Sequence, residues 1–361
     1  MNKNTLYSKA LQLLPLTEDE CVFLYTESPL DELVAVANEL RQLHVPGNGV
    51  SWQIDRNVNI TNVCIAGCSF CNFHCKLHES DKSYTTTIEE YVDKVEELIR
   101  YGGNQLLLQG GLHPKYGISF YADLFRQLKQ KFPDIKLHAL GPPEIAHIAR
   151  IDKLSYREVL EQLVNAGLDS LPGAGAEILC DRVRKQLSPG KPDTQAWFDV
   201  MREAHKMNLP TSATMVFGHI ETVNERIQHL TKLRELQAEK PEGSYGFLAF
   251  ICWPMQLKGT KLGEKVTPPP VTMQEYVRMV AISRIALNNI PNIQASWLTV
   301  GKETAQLCLH AGANDMGSIM IEENVVSSAG AEYKFDAEGI QNAIKEAGYI
   351  PWLRNQKYEK V

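Results

Sequence analysis

The strongest constraint on the fold is a regular alternation of short β-prone runs with amphipathic helical runs from Val50 onward. The period is roughly 30 to 45 residues, enough for a strand, a crossover helix and two connections. Such alternation is typical of right-handed βαβ units that build a parallel sheet. The pattern predicts eight strands, near residues 57–61, 105–109, 136–140, 170–171, 212–217, 246–253, 293–299 and 315–319.

Eight units are enough to close a barrel, so we predict an α/β fold of the TIM (β/α) type, complete or nearly complete. A doubly wound open sheet is the alternative that periodicity leaves open. The 361 residues would allow two domains, but no composition break or Ser/Gly linker divides residues 50–330. The predicted organisation is an N-terminal helical extension over 1–49, a barrel over 50–335, and a C-terminal helix and tail over 336–361 packed on the barrel.

Charge and hydropathy exclude several classes of function. Lys and Arg number 37 against 43 Asp and Glu, and no long basic stripe occurs, so we do not expect the chain to bind nucleic acid. No stretch of about 18 uninterrupted apolar residues is present, and residues 1–20 lack the apolar core and cleavage site of a secretion signal. We therefore expect a cytoplasmic protein without a membrane span that acts on a small molecule.

Polar and glycine residues cluster directly after the predicted strands. The clearest clusters are residues 109–114, 141–144, 172–177, 217–221 and 312–317. In a parallel barrel these loops share the C-terminal face, where catalytic groups gather. The chemistry is therefore expected at that face.

The eight cysteines are unevenly spaced. In a reducing compartment, thiols serve packing, metal binding or catalysis more often than disulfides. Four stand alone and are expected to be small buried side chains: Cys21, Cys180, Cys252 and Cys308. The other four lie within twelve residues, directly after the first predicted strand: Cys64, Cys68, Cys71 and Cys75. No second pair follows at the separation typical of zinc sites, whereas three thiolates in one loop can hold three irons of a [4Fe-4S] cluster and leave the fourth iron open.

Cys64, Cys68 and Cys71, with aromatic Phe70 before the third cysteine, resemble the signature of the radical S-adenosylmethionine (SAM) superfamily. The resemblance implies an enzyme with a radical SAM barrel and two cofactors, a [4Fe-4S] cluster on these cysteines and SAM, which chelates the open iron. It also implies cleavage of SAM to methionine and a 5′-deoxyadenosyl radical that abstracts hydrogen from substrate.

Cys75 as a fourth ligand would instead close the cluster and make the protein a non-enzymatic electron carrier. We favour an incidental role for Cys75.

The resemblance extends to residues expected to contact SAM. Gly110 and Gly111 follow the second predicted strand at the place of the superfamily's GGE-like stretch, and consecutive glycines let a ligand approach the backbone. Leu112 stands where that stretch has glutamate, so only the backbone role carries over. Phe70 and Phe73, the aromatic residues of the cysteine segment, are also predicted to contact the cofactor.

Charged residues at later strand ends are the remaining candidates. Glu177 and Arg182 are predicted to bind the polar groups of SAM, and a helix start with a solvated arginine explains them equally well. His219 and Glu221, after the fifth strand, are candidate general bases, and Asp315 at the eighth strand is a third catalytic candidate. A lone histidine at a strand end is more often structural.

Longer segments resemble one branch of the superfamily, the enzymes of the futalosine route to menaquinone. These segments cover most of residues 50–335. Residues 142–145, 294–297 and 321–326 are more similar to the cyclase of that route than to its sister, aminofutalosine synthase. Deazaflavin-cofactor synthases are a more distant alternative.

The cyclase resemblance implies dehypoxanthine futalosine as substrate. Hydrogen is abstracted from C4′ of its sugar, and the carbon radical adds to the substrate's own aromatic ring. A low-potential electron donor such as flavodoxin or ferredoxin is also implied. Two departures put substrate contacts in question: residues 72–75 are Asn-Phe-His-Cys where these enzymes usually have Ala-Phe-Tyr-Arg, and Leu112 stands where the cyclase more often has histidine.

Overall fold

A computed structural model describes residues 1–322, 324, 328 and 333–361 of the chain. Residues 323, 325–327 and 329–332 lie outside the described residues, and with them part of the 321–326 segment that favours the cyclase. Among the helices that are described, none is long and apolar enough to cross a membrane.

The described part of the chain forms ten strands, and all the pairings between them are parallel. They are β1 (Gly49–Gln53), β2 (Asp55–Asn59), β3 (Gln105–Gln109), β4 (Lys136–Ala139), β5 (Leu168–Ser170), β6 (Thr211–Phe217), β7 (Phe247–Pro254), β8 (Asn292–Gln294), β9 (Asp315–Ser318) and β10 (Ile350–Leu353). Only Ile54 separates β1 from β2, so the two are halves of one long strand.

The strands close into a barrel. One sheet has the order β10-β1-β9-β8-β7-β6 and the other the order β2-β3-β4-β5. A parallel bridge between Leu171 and Thr211 joins the β5 end to the β6 end, and the continuous β1–β2 strand joins the two sheets on the other side. With β1 and β2 counted as one strand, eight strands surround the core and β10 adds to β1 from outside the ring. The predicted TIM-type barrel is therefore confirmed.

Fourteen α-helices are described around and beside this ring. They are α1 (Lys3–Leu11), α2 (Glu18–Glu27), α3 (Leu30–His44), α4 (Ile88–Arg100), α5 (Ile118–Lys131), α6 (Pro142–Asp152), α7 (Tyr156–Ala166), α8 (Asp181–Leu187), α9 (Thr194–Lys206), α10 (Val223–Glu239), α11 (Met273–Ala286), α12 (Trp297–Val300), α13 (Lys302–His310) and α14 (Ala337–Glu346). Capping boxes, in which a Ser or Thr and a Glu three residues later satisfy each other's backbone N–H, begin α2, α4, α7 and α10. Helices α1 to α3 precede the barrel, and α3 packs against α11.

Two parts of the predicted strand pattern differ from the structure. The strand predicted over 293–299 ends at Gln294, because α12 begins at Trp297 and closes with a hydrogen bond from the Gly301 N–H to the Trp297 carbonyl. Strands β1 and β10 were not predicted. Strand β10 is exposed or half-buried along its length, so its residues lack the alternation that marks a strand with one buried face.

Candidate functional site

The barrel encloses a cavity of about 450 Å³ that reaches the carboxyl ends of the strands. Eight residues predicted as ligands or cofactor contacts line it: Cys64, Cys68, Cys71, Phe70, Phe73, Gly110, Gly111 and Glu177. Four other predicted residues do not line it: Arg182, His219, Glu221 and Asp315. The structure thus brings the predicted cofactor residues together, with the exception of Arg182.

The cysteine loop, residues 61–75, is held from both sides by backbone hydrogen bonds. On one side, the Gly111 N–H donates to the Thr61 carbonyl at 2.7 Å and the Ile65 N–H to the Leu112 carbonyl at 3.1 Å. On the other side, the Ser69 N–H donates to the Leu187 carbonyl at 2.7 Å. Backbone bonds of this kind fix the loop without using the cysteine side chains.

Gly110 and Gly111 are required by packing against this loop. A Cβ atom added at Gly111 would collide with the Val63 carbonyl and with the Cβ atom of Cys64. A Cβ atom at Gly110 would lie 3.0 Å from both the N and O atoms of Thr61. The two glycines therefore let β3 approach the cysteine loop, and their backbone also faces the cavity.

The thiols of Cys64, Cys68 and Cys71 are free and share the cavity wall. The Cys64 Sγ accepts hydrogen bonds from the Leu112 N–H at 3.3 Å and the Ala66 N–H at 3.4 Å. Burial raises the pKa of Cys68 to about 12 and also raises the pKa of Cys64. The Cys64 and Cys68 thiols therefore keep their protons until a metal displaces them.

Cys75 occupies a different place. Its backbone pairs with Val63, and its carbonyl accepts the Cys64 N–H at 3.0 Å. The residue is buried but does not line the cavity that the other three cysteines share. This position favours the incidental role expected for Cys75.

A buried ion pair lies beside the cysteines. Lys191 Nζ is 2.7 Å from Glu177 Oε1 and 5.6 Å from the centre of the Phe70 ring. Burial opposes ionisation of Glu177, but Lys191 and Arg184 hold the pKa of its carboxyl below the ordinary value. Glu177 has φ of 41°, a left-handed conformation that is costly for a residue with a side chain. Its Oε2 makes no hydrogen bond with any described residue and lies 3.6 Å from the Arg184 Nη1.

Sequence reasoning did not single out Lys191 as a site residue. It follows Pro189 and Gly190 in a loop whose Gly190 N–H donates to the Ala66 carbonyl at 3.1 Å. The only local signal is a Ser-Pro-Gly-Lys turn after a helix, a pattern that usually marks a solvated loop.

Glu144 is a second residue that the sequence did not assign to the site. It lies in the first turn of α6, lines the cavity and is 7 % exposed, and no described residue forms a hydrogen bond with its Oε2. Burial raises the pKa of its carboxyl to about 7; nearby Glu177 also raises it, and Lys191 partly opposes the shift. A carboxyl with this pKa and a free oxygen can accept a proton near neutral pH.

His219 and Glu221, the candidate bases, have fully buried side chains engaged in local contacts. The His219 Nε2 lies 3.0 Å from the Val216 carbonyl, and its Nδ1 accepts the Ile220 N–H at 2.7 Å. Glu221 accepts hydrogen bonds from the Gly218 N–H and from the Arg226 Nε, both at 2.7 Å. Burial opposes ionisation of Glu221, but His219 and Arg226 lower the pKa of its carboxyl overall. Their geometry favours a structural role at the end of β6.

Arg182 and Asp315 also have protein partners. Arg182 makes a bidentate pair with Glu225, at 2.7 Å from Nε and 2.6 Å from Nη2, on the outer surface. Asp315 is fully buried and pairs with Arg354, whose Nε lies 2.6 Å from Oδ2. These contacts favour structural roles for Arg182 and Asp315.

The residues present fit the cofactors that the sequence pattern implies. No group of His, Cys, Asp and Glu side chains in the described ranges is placed to hold one metal ion, whereas a [4Fe-4S] cluster takes each cysteine on a different iron. The three free thiols of the cavity wall supply that ligand set. The Glu177–Lys191 pair offers one charge of each sign, which matches the ammonium and carboxylate of an amino acid.

Comparisons with known proteins agree with this site. The model described as the Radical SAM superfamily matches residues 58–233, and the model described as the CofH/MqnC C-terminal region matches residues 244–361. Among curated proteins, cyclic dehypoxanthine futalosine synthase of Streptomyces coelicolor is 40% identical over 96% of this chain and 86% of its own length. The enzyme of the same name from Halalkalibacterium halodurans is 39% identical over 96% of this chain and 91% of its own length.

A differently named relative is nearly as similar. The 5-amino-6-(D-ribitylamino)uracil–L-tyrosine 4-hydroxyphenyl transferase 2 of Methanosarcina barkeri is 37% identical over 96% of this chain and 88% of its own length. Among solved structures, methylornithine synthase (PylB) superposes with a TM-score of 0.74 at 17% identity, covering 97% of this chain and 98% of that one. The [FeFe]-hydrogenase maturase HydG superposes with a TM-score of 0.75 at 16% identity, covering 98% of this chain and 76% of that one. At these identities the structural likeness shows the fold alone.

The different positions of the four cysteines generate a prediction. Cys64→Ala, Cys68→Ala and Cys71→Ala should each lose the bound cluster, because each removes an iron ligand, whereas Cys75→Ala should keep it. The measurement is iron and sulfide content with the visible absorption spectrum after anaerobic reconstitution. Cys308→Ala, which removes another buried thiol, is the control. A Cys75→Ala protein that folds but holds no iron would contradict this assignment.

Proposed function

The chain belongs to the radical SAM superfamily, in its CofH/MqnC branch, and we propose that it cyclises dehypoxanthine futalosine to cyclic dehypoxanthine futalosine. The observation that carries the proposal is the extent of similarity to the two synthases of that name, about two fifths of all positions over nearly the whole chain. Hydrogen leaves C4′ of the sugar as an atom, a bond forms from that carbon to the aromatic ring, the ring gives a proton to a base, and the remaining electron would return to the oxidised [4Fe-4S] cluster. The product is therefore two hydrogen atoms lighter than the substrate.

The superfamily uses a [4Fe-4S] cluster and SAM. When bound, these cofactors would supply the hydrogen-abstracting species, a 5′-deoxyadenosyl radical, with methionine as the other product of SAM cleavage. Cys64, Cys68 and Cys71 would hold the cluster, since they are the free thiols on the cavity wall. Lys191 and Glu177 would hold the carboxylate and ammonium groups of SAM by charge-assisted hydrogen bonds.

The barrel interior protects a radical from solvent. Apolar side chains form much of the cavity wall: Leu107, Leu248, Ile251, Trp253, Met255, Trp297 and Leu298. Such a wall excludes water and limits the positions that the sugar and the ring can take, so the carbon radical meets the ring of the same molecule.

Loss of the ring proton needs an acceptor, and we propose Glu144. It lines the cavity, its Oε2 has no hydrogen-bond partner in the described part of the chain, and burial raises the pKa of its carboxyl to about 7. The bases considered from the sequence, His219 and Glu221, do not line the cavity. In this role Glu144 accepts the ring proton, and the cofactors alone carry out the hydrogen abstraction.

A second candidate function is the transferase activity given in the name of the Methanosarcina barkeri relative. The identity to that relative is 37%, three percentage points below the identity to the Streptomyces coelicolor synthase. The two candidates differ in substrate, so one assay distinguishes them.

We also propose that a low-potential electron donor such as flavodoxin or ferredoxin docks over the cysteine loop. Asn72 is exposed there and its Nδ2 donates to the Lys258 carbonyl at 3.1 Å. Exposed lysines outnumber exposed acidic residues on the two segments that meet at this point: Lys76, Lys82, Lys258, Lys261 and Lys265 against Asp81 and Glu264. Such a surface complements an acidic donor protein.

The cyclase proposal predicts a defined product. Anaerobically reconstituted protein with reductant, SAM and dehypoxanthine futalosine should form 5′-deoxyadenosine and a product two mass units below the substrate, measured by liquid chromatography and mass spectrometry. Reduced flavodoxin or ferredoxin should replace the chemical reductant.

The Cys64→Ala variant is the control for this assay, since it lacks a cluster ligand. Formation of 5′-deoxyadenosine only with L-tyrosine and 5-amino-6-(D-ribitylamino)uracil would contradict the proposal and establish the second candidate. Formation with neither substrate set would contradict both.

The assignment of Glu144 predicts a pH profile. The wild-type rate of product formation should rise through about pH 7 and then level off, because only the ionised carboxylate accepts a proton. Glu144→Gln should form product roughly 100-fold more slowly or worse, without that rise, while still making 5′-deoxyadenosine. Glu89→Gln, at an exposed position of α4, is the matched control. A Glu144→Gln enzyme with the wild-type rate and profile would refute the role.

A further inference from the structure

We infer that the cavity contains a second polar subsite, deeper in the barrel than the cysteines, that binds the sugar hydroxyls of the substrate. The subsite consists of Gln53, Asp55, Asn57 and Gln105, which we call the deep quartet. This inference rests on the proposed function for the identity of the ligand. That a ligand binds there at all is inferred separately, from buried polar atoms of the cavity wall.

Each member of the deep quartet is more than nine-tenths buried and has a polar atom that finds no hydrogen-bond partner among the residues that the structure describes. The atoms are Gln53 Nε2, Asp55 Oδ1, Asn57 Oδ1 and Gln105 Oε1. A buried polar group without a partner destabilises the fold, and such groups are rare. Four of them on one cavity wall indicate a place where a polar ligand completes the hydrogen bonding.

Strand register brings the quartet together. Residues 53, 55 and 57 alternate along β1 and β2, so their side chains share the inner face of the barrel. Gln105 of β3 pairs in register with Asp55, and the Gln105 Nε2 donates to the Asp55 Oδ2 at 3.4 Å. The intervening Arg56 points outward, where it pairs with Glu322 at 3.0 Å.

The C-terminal tail closes this end of the cavity. Arg354, Gln356 and Tyr358 line the cavity, and the Arg354 Nη1 donates to the Gln53 Oε1. The Arg354 charge is already matched by Asp315, and the Tyr358 ring lies 4.0 Å from its guanidinium carbon. The tail therefore covers this end of the cavity. Arg354, the cation that contacts the quartet, is already paired with Asp315.

The free atoms define the chemistry of the ligand. Three of the four are oxygens that accept hydrogen bonds, and one is an amide nitrogen that donates. A carboxylate would face acceptor oxygens, including that of Asp55, whereas hydroxyl groups both donate and accept. The quartet therefore fits the hydroxyl groups of the substrate's sugar and not its carboxyphenyl ring, which we place towards the mouth of the cavity.

The test is a binding measurement that does not depend on turnover. Isothermal titration of the SAM-loaded, oxidised holoenzyme, without reductant, compares dehypoxanthine futalosine with an analogue that lacks the sugar hydroxyls. Wild-type protein should bind the analogue at least tenfold more weakly. Asn57→Leu and Gln105→Met should each weaken binding of the full substrate about tenfold and leave binding of the analogue unchanged. Gln127→Met, at an exposed position of α5, is the matched control.

Three outcomes separate this inference from the proposed function. Equal affinity of wild-type protein for the substrate and the analogue would overturn the subsite, because the quartet would then contact only water. A variant that weakens both ligands equally would also overturn it, because the residue would act on the fold alone. Wild-type protein that binds neither compound would instead count against the proposed function, and with it the sugar as the ligand.

Discussion

The site depends on the backbone hydrogen bonds that hold the cysteine loop between the segment after β3 and the C-terminal end of α8. The Gly111 N–H contacts the loop from one side, and the Leu187 carbonyl accepts from it on the other. Because backbone atoms carry these bonds, the sulfurs of Cys64, Cys68 and Cys71 remain free on the cavity wall. The same arrangement makes glycine necessary at position 111, where a side chain would collide with the loop.

The loop also brings charged groups into a site that water largely avoids. Lys191 reaches Glu177 across the cavity wall next to Phe70, and Glu144 lies close enough to respond to both charges. The two carboxyls have opposite shifts in pKa for a clear reason. Lys191 and Arg184 together outweigh the effect of burial at Glu177, whereas burial outweighs the opposing effect of Lys191 at Glu144. Glu177 is therefore suited to bind a cation, and Glu144 is suited to accept a proton.

Local patterns predicted the barrel, because strands and crossover helices depend on short-range signals. The β3 strand, Gln105–Gln109, coincides with its prediction, and the three cysteines singled out by their spacing line one cavity. Local patterns do not show contacts between residues that are distant in sequence. Arg182 pairs with Glu225, and no feature near Arg182 indicates that partner. Lys191 was missed for the same reason, since its role depends on Glu177 and on the cysteine loop that Gly190 contacts.

The central claim is that three cysteines hold a cluster whose fourth iron is open to SAM. Electron paramagnetic resonance of the reduced, reconstituted protein tests it most directly, with and without SAM. The account predicts a clear change in the cluster signal on adding SAM, in Cys75→Ala as in the wild-type protein. A wild-type signal that SAM leaves unchanged would mean that the cluster is closed, and would contradict the account.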